Sequence, residues 1–336
     1  MEIDTWIEQI IQSPIRYAIP IMTHPGIEMS GHTVSEAVQD GEIHAKAIKA
    51  LSDKYPSKAS TVIMDLTVEA EAFGCQISFP ENDMPHISGR VVDGSNVEML
   101  KIPPISAGRI PQYLKANKLA AEMIRDKAVL AGVIGPFSLA GRLFGMSEIM
   151  TSCYLETEAV ELLLEKCTQF IITYSTALKN TGCDGLIIAE PAAGLLSNED
   201  CLYFSSQYIK RVIDSVQDER FMVVLHNCGN TGHCTNAMLQ TGARGYHFGN
   251  AANMSEALKQ CPADVLVMGN VDPVAILKMM TPEEVKKQVL QLLEETADYP
   301  NFVLSTGCDV PPHVDPANIH AFYDALSLFN KKIKRP

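Results

Sequence analysis

Hydrophobic positions along the chain follow two alternating rhythms. Short runs at 18–23, 61–66, 128–135, 185–190, 221–226, 245–249, 265–270 and 302–305 are apolar at nearly every position. Between them, at about 34–53, 110–126, 146–181, 199–217, 232–242, 254–260, 274–297 and 316–331, apolar residues recur every three or four positions among polar ones. Runs that are apolar on both faces suit strands of a parallel sheet covered by helices. Eight such β-α units predict an α/β fold, a single (β/α)8 TIM barrel, because a doubly wound open sheet rarely uses so many units of similar size. Two segments stand outside the rhythm. Ile3, Trp6, Ile7, Ile10 and Ile11 recur at helical spacing among Glu2, Asp4, Glu8 and Gln9, which predicts an amphipathic N-terminal helix. Residues 74–109 read as a β-hairpin inserted after the second strand, turning at Asp93-Gly94 and lying across a barrel mouth. With no linker or low-complexity stretch, residues 1–336 read as one domain.

Charge removes several functions. Lys and Arg number 27 against 40 Asp and Glu, a net charge of −13, so a phosphate backbone or an anionic membrane surface would be repelled and no nucleic acid partner is expected. No basic segment leads into an apolar run at the N-terminus, and no stretch approaches 18 consecutive apolar residues, so neither a signal nor a membrane span is predicted. The nine cysteines are scattered rather than arranged as a disulfide framework, which places the protein in the cytoplasm. The terminal KKIKRP is what a helix dipole favours at its last turn.

In a TIM barrel the chemistry sits where strands end, and this sequence places a distinctive set there. The first predicted strand ends at His24, the second just before Glu69, the fourth at Glu190 and the fifth at His226, Asn227 and Cys228. The sixth ends at Asn250, the seventh at Asp272 and the eighth at Cys308. His226 and Cys228 stand two apart, a spacing that in extended backbone points both side chains the same way. With Cys308 from another strand they form one imidazole and two thiols, a donor set suited to Zn2+ with a fourth position open to water or substrate. His24, Glu69, Glu190, Asn250 and Asp272 are expected to hold the substrate. The remaining cysteines read as small core residues.

Taken together, HNCGNTG at 226–232, GNVDPVAIL at 269–277 and STGCDVPP at 305–312 resemble the uroporphyrinogen decarboxylase superfamily over nearly the whole chain. GPFSLAG at 135–141 and DLTVEAEAFGC at 65–75 resemble its zinc-dependent branch, which includes methylcobalamin:coenzyme M methyltransferases. That resemblance implies a TIM barrel with His226, Cys228 and Cys308 as the metal ligands that activate a thiol. Two features depart from related patterns. The arginine-bearing substrate loop of true decarboxylases corresponds here to THPGIEMSG, which has no cation for a polycarboxylate. Some related zinc enzymes carry a ligand Glu about 22 residues after the second ligand, where this chain has Asn250. The open position would then go to water or to a group such as Glu190 or His247.

The expected reaction is transfer of a methyl group from methylcobalamin to a small thiol acceptor, coenzyme M-like or homocysteine-like. The chain has no Asp-x-His-x-x-Gly cobalamin motif, so the cofactor would arrive on a separate corrinoid protein. Two other reactions stay open at this point: a corrinoid-dependent demethylase running the opposite way, and a decarboxylase of a tetrapyrrole.

Overall fold

A computed structural model describes residues 2–333; the last three residues of KKIKRP lie outside them. Seven strands form a curled parallel sheet in the order β1 (Ala59–Thr61), β4 (Ala128–Ile134), β5 (Gly185–Ala189), β6 (Met222–Asn227), β7 (Gly245–Phe248), β8 (Leu266–Val271) and β9 (Phe302–Thr306). Nearly every residue of these strands is buried, as runs apolar on both faces require.

The eighth position of the ring, predicted at 18–23, is filled by extended chain rather than by a regular strand. Ile19 N–H donates to Leu304 O and Leu304 N–H to Tyr17 O on the β9 side, while Lys58 N–H donates to Ala18 O beside β1. Further along, the backbone ladder to β9 stops, while Pro20, whose carbonyl accepts from Thr61 Oγ1, faces the β1 side and has no N–H to offer there. Side-chain hydroxyls take over: Thr306 Oγ1 accepts from Ile21 N–H at 3.1 Å, and Ser305 Oγ donates to Ile19 O at 2.7 Å. On the β9 side this position is thus held in good part by side-chain hydroxyls.

The N-terminal helix, Ile3–Ile11, closes the end of the barrel from which the strands start. Its buried face, Ile3, Trp6, Ile7 and Ile10, packs on the inward side chains Ile19, Ala59, Leu130, Ile187, Val224 and Val303. Removing this much aromatic and aliphatic surface from water is a main source of stability for the barrel interior.

The insertion is present, but its turn is not where the sequence suggested. The antiparallel pair is β2 (Gln76–Ser78) with β3 (His86–Ser88). Asp93-Gly94 instead opens a loop in which Asp93 accepts from Ser95 N–H and Oγ, and Asn96 accepts from Asp93 N–H, leading into a short 3-10 turn at Val97–Met99. Its turn-forming chemistry is satisfied locally, without two strands to join. Phe79 and Met84 between the paired strands pack with Ile27, Val34 and Val38, which follow the first strand position, so the insertion leans on the mouth where strands end.

Helices also divide more finely than the periodicity suggested. Pro136–Phe144 is an additional helix, and 146–181 is two, Met146–Leu155 and Thr157–Lys179. Gly145 sits at φ +101° between the first two, a conformation that side chains strain to adopt. The segment predicted at 274–297 becomes a regular helix only at Pro282–Glu295, where Thr281 and Glu284 make a capping box and Pro282 takes the first turn.

Candidate metal centre

At the end of β6 the backbone makes a side-chain-directed turn, with Asn227 Oδ1 accepting from Gly229 N–H at 3.0 Å. This turn carries Cys228 over the mouth beside His226. The chain cannot be bulkier here: a Cβ on Gly249 would meet the Cys228 backbone at 2.6 Å. Cys308 arrives from the end of β9, where Gly307 N–H donates to Val271 O. The donor atoms of His226, Cys228 and Cys308 all lie within 4.8 Å of one another. Tetrahedral zinc, at about 2.0 Å from nitrogen and 2.3 Å from sulfur, needs donors only roughly 3.5–3.8 Å apart. Small side-chain movements meet that requirement, so the residues present fit the ion.

The electrostatics support this donor set. A hydrogen bond with Cys308 lowers the Cys228 thiol to about 7, and the same bond raises Cys308. Around the donors lies a chamber of about 70 Å3, lined by Ile21, Met64, Leu66, Ala189 and Pro191, with Asp309 as its remaining polar group. Its size admits a few heavy atoms, not the ligand of a typical drug-sized pocket. A larger cavity of about 650 Å3 lies at the opposite, strand-start end, lined by Trp6, Tyr17, Lys58 and Lys127, away from all the predicted site residues.

The other predicted residues take varied places. His24 is buried, its Nδ1 donating to Val310 O at 2.9 Å, and Nε2 has no partner. It stands 3.8 Å from Asp309, which accepts from Thr23 N–H and Oγ1. Asp309 was not among the sequence-predicted residues; its one visible signal is its place next to Cys308. Glu190 faces backbone: its oxygens accept from Phe137 and Ser138 N–H at the start of a helix. Asn250 donates to Asp272 at 2.7 Å on the exposed rim, and Asp272 Oδ1 also caps Val274 and Ala275. His247 has both ring nitrogens engaged, with His226 and with Ser305.

Glu69 is fully buried, with Oε1 accepting from Ile134 N–H and Oε2 unpartnered. Burial pushes its carboxyl up to about 7, and Glu190 likewise to about 7. A carboxyl whose folded value is raised above the ordinary value near 4.3 contributes stability at low pH and loses it as pH rises through the folded value. The thermal midpoint should therefore fall between about pH 4.5 and 7. Glu69→Gln, which cannot ionise, should flatten part of that fall; an unchanged slope in a melting series over this range would refute it.

The uroporphyrinogen decarboxylase (URO-D) family model matches residues 7–328. A methylcobamide:CoM methyltransferase, MtbA, of Methanosarcina acetivorans is 30% identical over 308 residues, covering 90% of this chain and 89% of that protein. A uroporphyrinogen decarboxylase of Pseudoalteromonas translucida is 26% identical over 292 residues, covering 83% and 81%. Among solved structures, a methyltransferase from Methanosarcina mazei superposes with a TM-score of 0.88 at 23% identity, covering 98% of this chain and 99% of that one. The chain belongs to the uroporphyrinogen decarboxylase (URO-D) family, in its methyltransferase branch.

Proposed function

We propose that this methyltransferase moves a methyl group from methylcobalamin, carried on a separate corrinoid protein, to a small thiol of the coenzyme M or homocysteine kind, with zinc held by His226, Cys228 and Cys308. The observation that carries the reading is the convergence of one imidazole and two thiols within 4.8 Å at the mouth of the barrel. The name of the 30% identical relative agrees with the reaction. When bound, zinc supplies deprotonation: a free thiol with a pKa of about 8.5 is only a few per cent thiolate at neutral pH.

The chain's own residues do the remaining work. Ile21, Met64, Leu66, Ala189 and Pro191 keep water away from the sulfur, which sharpens its nucleophilicity by removing hydration. Asp309, anchored by Thr23, offers a hydrogen-bond acceptor to an amine beyond the sulfur, as a homocysteine-like thiol carries. No proton has to move during methyl transfer to a thiolate, so no general acid is required. No helix of the described residues is long and apolar enough to cross a membrane, and the reading assigns the protein to the cytoplasm.

Metal content by elemental analysis, alongside the absorbance change of methylcobalamin with a panel of thiols, tests this reading. One zinc per chain with thiol-dependent demethylation is the expected result, and the responding thiol names the acceptor. Zinc without turnover on any thiol would move the assignment to the reverse demethylase. A metal-free protein would move it to the decarboxylase class, against the absence of cations in THPGIEMSG.

A further inference from the structure

We infer that His247 and Ser305 are positioning residues that fix the tautomer of His226 and so present its Nε2 lone pair to the metal. The inference rests on the proposed zinc site, but its premise is a hydrogen-bond chain within the protein itself.

The chain can be read from either end. Ser305 Oγ lies 2.7 Å from Ile19 O, and a carbonyl can only accept, so the single hydroxyl proton points there. The 2.8 Å contact between Ser305 Oγ and His247 Nε2 must therefore be donated by the imidazole. A neutral His247 with its proton on Nε2 has a lone pair on Nδ1. That atom lies 2.7 Å from His226 Nδ1, which must then carry the proton.

From the other end, His226 Nδ1 also lies 3.3 Å from the backbone carbonyl of His247, again an acceptor only. Both readings place the proton on His226 Nδ1. Neutral imidazole has one donor and one acceptor nitrogen, so Nε2 is left with its lone pair free. All three side chains are buried, with His226 at 3% exposure, His247 at 1% and Ser305 at 0%, so water does not compete for these bonds. The order Ile19 carbonyl, Ser305, His247, His226 runs from the irregular closing segment of the barrel across β9 and β7 to β6. The same hydroxyl that closes the barrel also sets the direction of the chain. Partners of this kind orient metal-binding histidines and raise their basicity, and losing one typically weakens metal binding by 10- to 100-fold.

Nitrogen NMR of the full-length protein labelled with 15N-histidine provides the test, with the His226 signals identified by their loss in His226→Gln. In the protein stripped of metal, His226 should be protonated on Nδ1 and His247 on Nε2. Zinc affinity, measured by competition with a chelator, should fall about 10- to 100-fold in Ser305→Ala, and Ser305→Thr, which keeps the hydroxyl, should recover most of it. A proton on Nε2 of His226 in the stripped wild-type protein overturns the inference, whether or not Ser305→Ala folds. Wild-type zinc affinity in a folded Ser305→Ala overturns it too. If wild-type protein binds no zinc at all, the metal reading fails instead, while the tautomers are still read directly.

Discussion

Cys308→Ala should lose zinc and thiol methylation together. Three donors hold the proposed ion, and removing one leaves His226 and Cys228, two apart in sequence, with no soft third partner. Structural zinc sites bind with roughly 10–16 kcal/mol; shared over four ligands this is about 2.5–4 kcal/mol each, or roughly 10²- to 10³-fold in affinity per ligand. Catalysis falls further, because the acceptor sulfur reverts to mostly protonated thiol. The metal-to-protein ratio after gel filtration with a weak chelator, measured beside the thiol-dependent loss of methylcobalamin absorbance, reads both quantities. Cys261→Ala is the control, since Cys261 is half-buried at the end of the helix Met254–Gln260 and outside the donor cluster. Full methyl transfer by a metal-free Cys308→Ala protein would end the zinc-thiolate account.

What could be read from sequence here was what depends on local pattern. Strands buried on both faces announce themselves as apolar runs, and a donor at a strand's end is visible because the strand is, which is how His226, Cys228 and Cys308 stood out. Features set by contacts between distant residues were hidden. The first apolar run is visible, but nothing in the sequence reveals that Thr306 and Ser305, more than 280 positions away, bind its backbone through their hydroxyls. The same holds for His247 and Ser305, 58 positions apart, whose effect on His226 exists only in the assembled barrel. Glu69 and Glu190 illustrate the opposite difficulty. Carboxylates at strand ends look like substrate groups, and the sequence does not show that Glu69 Oε1 and both oxygens of Glu190 meet the amides of Ile134, Phe137 and Ser138 while Glu69 Oε2 stays unpartnered. Likewise Asp93-Gly94 has the chemistry of a hairpin turn, and only the surrounding chain decides that Ser95 and Asn96 complete it as a loop.

Arg109→Ala should destabilise the fold by about 3–5 kcal/mol while leaving the donor cluster able to bind zinc. The guanidinium is buried and donates to Asp65 at 2.5 Å, Glu71 at 2.6 Å, Thr67 Oγ1 at 2.8 Å and the carbonyl of Val38 at 3.1 Å. It also lies 4.7 Å from the centre of the Phe79 ring, in the insertion. One side chain therefore ties together the segments after the first and second strand positions and the β2–β3 connection. Asp65, with 1% side-chain exposure, would lose its directly bonded cation and keep Thr67 and Tyr113 as hydrogen-bond partners, with the half-buried Arg142 as the remaining cation near it. A buried carboxylate stripped of its direct ion pair accounts for the predicted magnitude. Arg109→Met together with Asp65→Leu removes both charges and fills the space, so it should recover most of the loss, because the expense of the single change lies in the stranded carboxylate. Denaturant unfolding of the two variants separates these cases, and chelator competition reads the metal site in each. A loss below 1 kcal/mol in Arg109→Ala would show that the cluster is relaxed by water, and loss of zinc binding in a folded variant would show that the mouth loops and the donor cluster are not independent. The expected combination, lower stability with zinc affinity intact, makes Arg109 a clamp on the rim of the barrel whose contribution is to architecture and not to chemistry.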